Sequence, residues 1–372
     1  MKEAGEGPAI RPSVLDMLRV RSEARADSRL AALLREDPFA RQRFLQWGVP
    51  LGQVDAEQLR FRGWQRVFGV RLGGVADVQW SPRAEAIACL TPGALELLRW
   101  PDASQQHAVG LPFSGSRVRW VGEAELLVCS GSSGRLLLAD LRGAEVALAA
   151  LECEALTTLQ DAAGTAQGLV YAGARDGSVF VWDRRVSAAR CAQLGGGARG
   201  GGGSVNCVEV ARDGQMLVCG SASGALSVWD LRRAGRQPAA QYAAAQLGFA
   251  GATGGVAAMR LEPESNSRVA LQLADGRCSL FDLASLSAAP LLGPAAAVEG
   301  ERSQAALSFV PGAPWVAATG AHCVKLMHTG RRRKEATLDV HAAVSCLSCH
   351  GRDGLVFGTR TGELVVFGHP YK

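Results

Sequence analysis

Cys346-Leu347-Ser348-Cys349-His350 puts two thiols and an imidazole within five residues, the letters of the motif that attaches c-type haem. With Cys323 added, the same side chains would offer the sulfur and nitrogen donors that zinc takes. Neither chemistry is adopted. The segment reads as an apolar strand on the inner side of a repeated unit, where reduced thiols serve as small core filling. Haem attachment also requires export, and Met1 to Arg11 carries two Glu and no apolar run of the kind a secretory leader needs. Zinc would want a second ligand pair at matching spacing, and none is present. Gly195-Gly196-Gly197-Ala198-Arg199-Gly200 fits the dinucleotide fingerprint only because the stretch is nearly all glycine. The next element is the strand Val205–Val210, not the helix whose N-terminus would hold a pyrophosphate. There is no Gly-Lys-Ser/Thr phosphate loop, and no Gly-x-Ser-x-Gly elbow in a suitable context. The six His are scattered, and three of them (His322, His328, His341) stand at the ends of repeated units. No catalytic, metal-binding or cofactor-binding residue is therefore expected, and an enzyme is kept only as a reserve class.

A second set of residues points to binding. Asp140-Leu141-Arg142, Asp183-Arg184-Arg185 and Asp230-Leu231-Arg232 repeat an Asp-x-Arg spacing. Arg is a planar, permanently charged fork of five donors, suited to carboxylates and carbonyls of a partner. Asp183 and Asp230 directly follow Trp182 and Trp229. Asp140 and Asp282 hold the same place after Ala139 and Phe281.

These aspartates close one strand of a larger repeat, which begins near residue 75. An apolar strand ends in a turn, as at Trp80-Ser81-Pro82 and Phe309-Val310-Pro311-Gly312. A second strand runs into small residues, as at Ala172-Gly173, Cys219-Gly220-Ser221 and Phe357-Gly358-Thr359. A glycine turn and a third strand follow. The turn glycines Gly93, Gly134, Gly177, Gly224, Gly276 and Gly362 lie 41, 43, 47, 52 and 86 residues apart. The last interval is a doubled one, its missing turn falling at Ala321-His322. Positive φ is expected at these glycines. Seven units of short strands at this period predict an all-β, seven-bladed propeller, in which each small sheet buries its faces by stacking on its neighbours. The alternation Ser178-Val179-Phe180-Val181-Trp182 supports strands. The last unit ends near Phe367, leaving almost no chain for an outer strand. Gly63 to Leu72 reads as that strand, supplied from the N-terminal side so that the ring over residues 61–372 is closed around 64–72 and loses two free edges. Residues 195–203, Ala234–Gly255 and Ala288–Glu301 read as loose surface connections.

Residues 1–60 read as a helical arm. Ser13 and Asp16 fit a capping box, and Leu15, Leu18, Leu33 and Leu34 supply apolar positions. Asp37 with Pro38 opens a second helix that carries Phe39, Phe44 and Trp47 and stops at Gly48 and Pro50. The arm either packs on the rim of the ring or docks another protein.

The balance of 40 Lys+Arg against 35 Asp+Glu, a net charge of +5, is too even for a general nucleic-acid binder, and direct nucleic-acid binding is not expected. The second helix also lacks the Arg, Asn and Gln cluster that reads base edges. No run of about 18 uncharged apolar residues occurs, so no membrane span is expected. The ten Cys read as reduced thiols of a nuclear and cytoplasmic protein. Arg331-Arg332-Arg333-Lys334 reads either as a nuclear import patch or as a solvated loop.

Val181-Trp182-Asp183 and Val228-Trp229-Asp230 carry the dipeptide that names the WD-repeat family, and the chain resembles that family over roughly residues 62–369. The third unit, Ala172 to Arg185, is similar to the extended motif of WD-repeat substrate receptors that dock on the adaptor of cullin-4 RING ubiquitin ligases. That resemblance implies two kinds of protein partner, the ligase adaptor and an unidentified substrate protein, with the chain acting as a monomer inside the larger complex. Leu15, Leu18, Phe39, Phe44 and Trp47 of the arm, with Arg142, Arg185, Arg232, Asp183 and Asp230 of the ring, would face the adaptor. The opposite, narrower mouth would hold the substrate. The alternative is a WD-repeat scaffold in a chromatin or RNA-processing complex with no ligase role.

Overall fold

The computed structural model describes residues 65–368, apart from positions 84, 101–103, 130–133, 144, 152–158, 166–167, 186–191, 196–202, 234–236, 252–253, 266, 293–304, 321, 331–334, 341 and 351–353. The expected helical arm, the glycine-rich stretch 196–202 and the basic run 331–334 lie outside the described residues.

The described chain forms seven four-stranded antiparallel sheets, the blades of a propeller. An opening strand, β1 (Gln65–Arg71), is followed by the first blade, β2 (Asp77–Trp80), β3 (Ala86–Leu90), β4 (Ala94–Arg99) and β5 (Gln105–Gly110). The second blade is β6 (Arg117–Trp120), β7 (Glu125–Cys129), β8 (Leu136–Asp140) and β9 (Ala147–Leu151). The third is β10 (Leu159–Gly164), β11 (Leu169–Ala174), β12 (Ser178–Asp183) and β13 (Ala192–Gly195). The fourth is β14 (Val205–Val210), β15 (Met216–Ser221), β16 (Leu226–Asp230) and β17 (Ala240–Tyr242). The fifth is β18 (Val256–Leu261), β19 (Arg268–Leu273), β20 (Cys278–Asp282) and β21 (Ser287–Leu292), and the sixth is β22 (Leu307–Val310), β23 (Trp315–Thr319), β24 (Cys323–His328) and β25 (Glu335–Asp339). The seventh has β26 (Val344–His350), β27 (Gly354–Thr359) and β28 (Glu363–Gly368), with β1 hydrogen-bonded to β28 as its fourth strand. The innermost strands neighbour one another in chain order, and β26 returns beside β2.

The core lies between blades. Phe180 and Trp182 pack into the cluster shared with the second blade, beside Val121, Leu127 and Leu136. Val179 and Val181 pack into the cluster shared with the fourth, beside Val205, Val208 and Trp229. The alternation in β12 thus sorts side chains between two interfaces rather than between core and water. All of Ser178 to Trp182 is buried as a result. The second strands show the same two-sided burial as unbroken apolar runs, such as Ile87-Ala88-Cys89-Leu90.

Two glycine roles recur. In β11, β15 and β27 a glycine lets the next blade approach. A Cβ on Gly173 would lie 2.4 Å from Val205 Cγ1, on Gly220 2.7 Å from Val256 Cγ1, and on Gly358 2.4 Å from Val75 Cγ1. In the turns, Gly134, Gly177, Gly224, Gly276 and Gly362 have φ of 62°, 86°, 81°, 83° and 84°, as their spacing predicts. Gly93 departs from this. The amide of Thr91 already donates to Ala94 O at 2.9 Å, whereas that of Ser221 donates one residue further on, to Ala225 O. The first blade's turn is one residue shorter, so no residue is needed in the left-handed region.

Two of the connections expected to be loose are ordered in part. Within Ala234–Gly255, Leu247 and Phe249 are buried in the cluster between the fourth and fifth blades. Leu247 and Phe249 donate backbone hydrogen bonds to Ala243 O or Ala244 O in a single helical turn. The composition looked like a linker, but two large apolar side chains are enough to tie it down. Ala288 to Leu292, at the start of the third connection, belong to β21.

Candidate docking surface

The C-terminal ends of β8, β12, β16 and β20 lie on one rim. Their last residues stand opposite the first residues of the strands beside them: Asp140 opposite Glu125, Asp183 opposite Leu169, Asp230 opposite Met216 and Asp282 opposite Arg268. Each carboxylate then turns the chain by accepting the amide two residues on. Asp140 Oδ1 takes the N–H of Arg142 at 3.0 Å, Asp183 Oδ1 that of Arg185 at 3.0 Å and Asp230 Oδ1 that of Arg232 at 3.1 Å. Asp282 Oδ1 takes that of Ala284 at 2.8 Å. Such a turn sets the side chain at the second position over the aspartate that made it.

In the third and fourth blades the arginine folds back on its own aspartate. Arg185 donates Nε to Asp183 Oδ1 at 2.9 Å and Nη2 to Oδ2 at 2.6 Å. Arg232 does the same toward Asp230, at 2.8 and 2.9 Å. Hydrogen bonds from the guanidinium are the main reason that each carboxyl is held down at about 2. The two arginines are raised by the same pairing. The internal pairing adds to the sequence-based expectation of a five-donor fork facing a partner. Two donor positions are engaged internally, which fixes the orientation of the plane, and the Nη1 side is left for another acceptor. The side chains of Arg142, Arg185 and Arg232 are 65%, 65% and 67% exposed. Exposed ion pairs contribute little to stability, so three of them in consecutive blades are not explained by holding the fold together.

Arg142 is held differently. Its Nη2 donates to Glu125 Oε1 at 2.7 Å, and its Nη1 lies 3.7 Å from Asp140 Oδ2. Glu125 also accepts Arg184 Nη1 from the third blade, and both of these side chains are largely buried. Glu125 and Arg184 therefore clamp two blades together under the rim, a pairing the sequence reading missed. The available signal was that Arg184 occupies the position that is Leu141 and Leu231 in the flanking units, where a charged residue needs a partner.

The chemistry-bearing thiols lie elsewhere. Cys346 and Cys349 are an odd number of residues apart on β26, so they fall on opposite faces of the strand. Burial pushes both thiols, and that of Cys278, up to about 12. Such thiols are protonated core residues near neutral pH. Among the described residues, no group of three or more His, Cys, Asp or Glu is placed to hold a metal ion. No helix among them is long and apolar enough to cross a membrane. The arm residues Leu15, Leu18, Phe39, Phe44 and Trp47 lie outside the described residues.

The geometry defines a seven-bladed β-propeller with a charged rim. A family model, described as WD domain, G-beta repeat, matches residues 197–230, the fourth blade through its closing Trp229-Asp230. No curated protein matches the chain. A seven-bladed propeller carrying a WD repeat is a protein-interaction scaffold, and the rim of Arg142, Arg185 and Arg232 is its candidate docking surface.

Proposed function

We propose that this chain is the substrate-recognition subunit of a cullin-4 RING ubiquitin ligase, working in the nucleus and cytoplasm. The reading is carried by one observation: three consecutive blades end the same strand in an Asp-x-Arg turn, and each turn leaves its arginine exposed on the same rim. The rim meets the ligase adaptor through the outward edges of Arg142, Arg185 and Arg232, with Asp183 and Asp230 holding two of those planes in place. The arm adds apolar anchors from Leu15, Leu18, Phe39, Phe44 and Trp47, as an amphipathic helix does when it enters a groove. The opposite rim is left for the substrate protein. No covalent step falls to this chain. Its part is to hold the substrate near the ligase's transfer machinery, which raises effective concentration.

The test is affinity purification of three forms of the chain, read by mass spectrometry: the whole chain, the whole chain with Arg185→Ala and Arg232→Ala, and that double variant lacking residues 1–48. The whole chain is expected to bring down the adaptor and the cullin. The arginine variant should recover at least tenfold less, and the third form none. Equal adaptor recovery from all three sinks the rim and arm as the docking face, and absence of the adaptor from the whole-chain sample sinks the ligase reading. In that case a chromatin or RNA-processing assembly becomes the better reading of the same scaffold.

A further inference from the structure

Leu286 departs from the rest of the ring in two independent ways. It is the only large hydrophobic side chain that is exposed among the described residues, at 60%. It is also the only described residue other than glycine with a positive φ, at 54°. A leucine in the left-handed region is strained, and glycine would remove the strain and the exposed apolar surface together. Backbone strain of this kind persists where surrounding structure enforces it, and it concentrates at binding sites.

The enforcing structure is local. Asp282 ends β20, and its Oδ1 accepts the amides of Ala284 at 2.8 Å and Ser285 at 3.3 Å. Across the turn, Ser287 pairs in register with Asp282. The Ser285 and Ser287 hydroxyls lie 2.7 Å apart, bracketing Leu286. The residues around it, Ala284, Ser285, Ser287, Ala288 and Ala289, are all small, so nothing beside the leucine is large enough to cover it. By register, Asp282 occupies in the fifth blade the place that Asp140, Asp183 and Asp230 hold in the second, third and fourth. Leu286 therefore stands on the same rim, next in order after the three arginines. In its turn Ala284 replaces the arginine.

We propose that Leu286 is the apolar anchor of the docking rim, entering a hydrophobic pocket on a protein partner whose flanking carboxylates meet Arg232 and Arg233. This rests on the rim being the adaptor-binding face. The charge matches that occupant. Arg232 and Arg233 are both well exposed beside Asp230, at 67% and 82%, and would repel a basic surface. A leucine held ready in a fixed turn loses little freedom when it is buried, so most of its transfer energy is available to binding.

The experiment measures the affinity of purified ligase adaptor for the whole chain and for Leu286→Ser, Leu286→Gly and the Arg185→Ala/Arg232→Ala variant, with thermal midpoints in parallel. Leu286→Gly keeps the turn and removes the strain, so its midpoint should equal or exceed that of the unaltered chain. Both Leu286 variants should bind about ten- to a hundredfold more weakly. If they bind like the unaltered chain while the arginine variant is weakened, the anchor is overturned and the rim reading stands. If the unaltered chain does not bind the adaptor, both are overturned.

Discussion

The seam between the seventh and first blades is where the two ends of the described chain meet, and Gly358→Ala tests its packing. A Cβ at this position would lie 2.4 Å from Val75 Cγ1, 2.7 Å from Val75 Cβ and 2.7 Å from Cys346 Sγ. None of the three can move cheaply. Val75 is β-branched and stiff, and Cys346 is fully buried. Ser345 Oγ lies 2.8 Å from Val75 O and 3.1 Å from Gly358 O, which ties both backbones in place. Overpacking costs about 1–3 kcal/mol, and contacts this short with three core atoms put Gly358→Ala near the top, at about 3 kcal/mol. Val75→Ala alone should cost about 1–2 kcal/mol for the two methyl groups it removes from a filled core. One of them, Cγ1, is the atom the new Cβ meets most closely. The double variant should therefore be less destabilised than the sum, with a coupling of about 1–2 kcal/mol. Urea denaturation followed by tryptophan fluorescence gives all three values. A neutral Gly358→Ala, or strictly additive effects, would refute the packing argument at this seam.

Two further outcomes follow from the rim. Glu125→Ala strands Arg184 in a largely buried position, and should cost about 1–3 kcal/mol in the same denaturation measurement; adding Arg184→Leu, the residue type at Leu141 and Leu231, should recover most of the loss. Asp183 and Asp230 should titrate near 2 by carboxyl-carbon NMR, below the ordinary value of about 3.9. Because the folded value is the lower one, the stability each contributes is complete above about pH 4 and is lost as pH falls toward 2. Arg185→Ala should return Asp183 toward the ordinary range and leave Asp230 where it was.

The blade count could be read from the chain because each unit repeats the same physical necessities. Glycine is needed in the left-handed turns, as at Gly177, Gly224 and Gly276, and small residues are needed where Val205, Val256 and Val75 press against the preceding blade. Composition misled where these necessities are met by other means. The shorter turn at Thr91 to Ala94 needs no left-handed glycine, and Ala234–Gly255 resembles a linker until Leu247 and Phe249 are seen to be buried. On the rim, the Asp-x-Arg spacing was visible, but the internal pairing of each fork was not. Whether an arginine bonds its own aspartate or a neighbour depends on the turn that the aspartate builds. Glu125 lay 59 residues from Arg184 with no local pattern joining them.

The blades share one architecture, so their differences carry the specificity. At one structural position, the turn after the third strand, the second, third and fourth blades place an exposed Arg and the fifth places Ala284 and a strained, exposed Leu286. In the sixth, His328 takes the place of the strand-end aspartate, buried against Trp315 with ring centroids 5.2 Å apart and accepting the amide of Gly330 through Nδ1 at 2.9 Å. That side chain serves the core. Among the described residues, the exposed arginines of this turn thus stand in consecutive blades, with an apolar residue in the next. A scaffold required only to be stable would have little use for this order, since exposed arginine pairs contribute little to folding and an exposed strained leucine opposes it. Oriented charges beside one exposed hydrophobic residue are what a single partner approaching from one side would require.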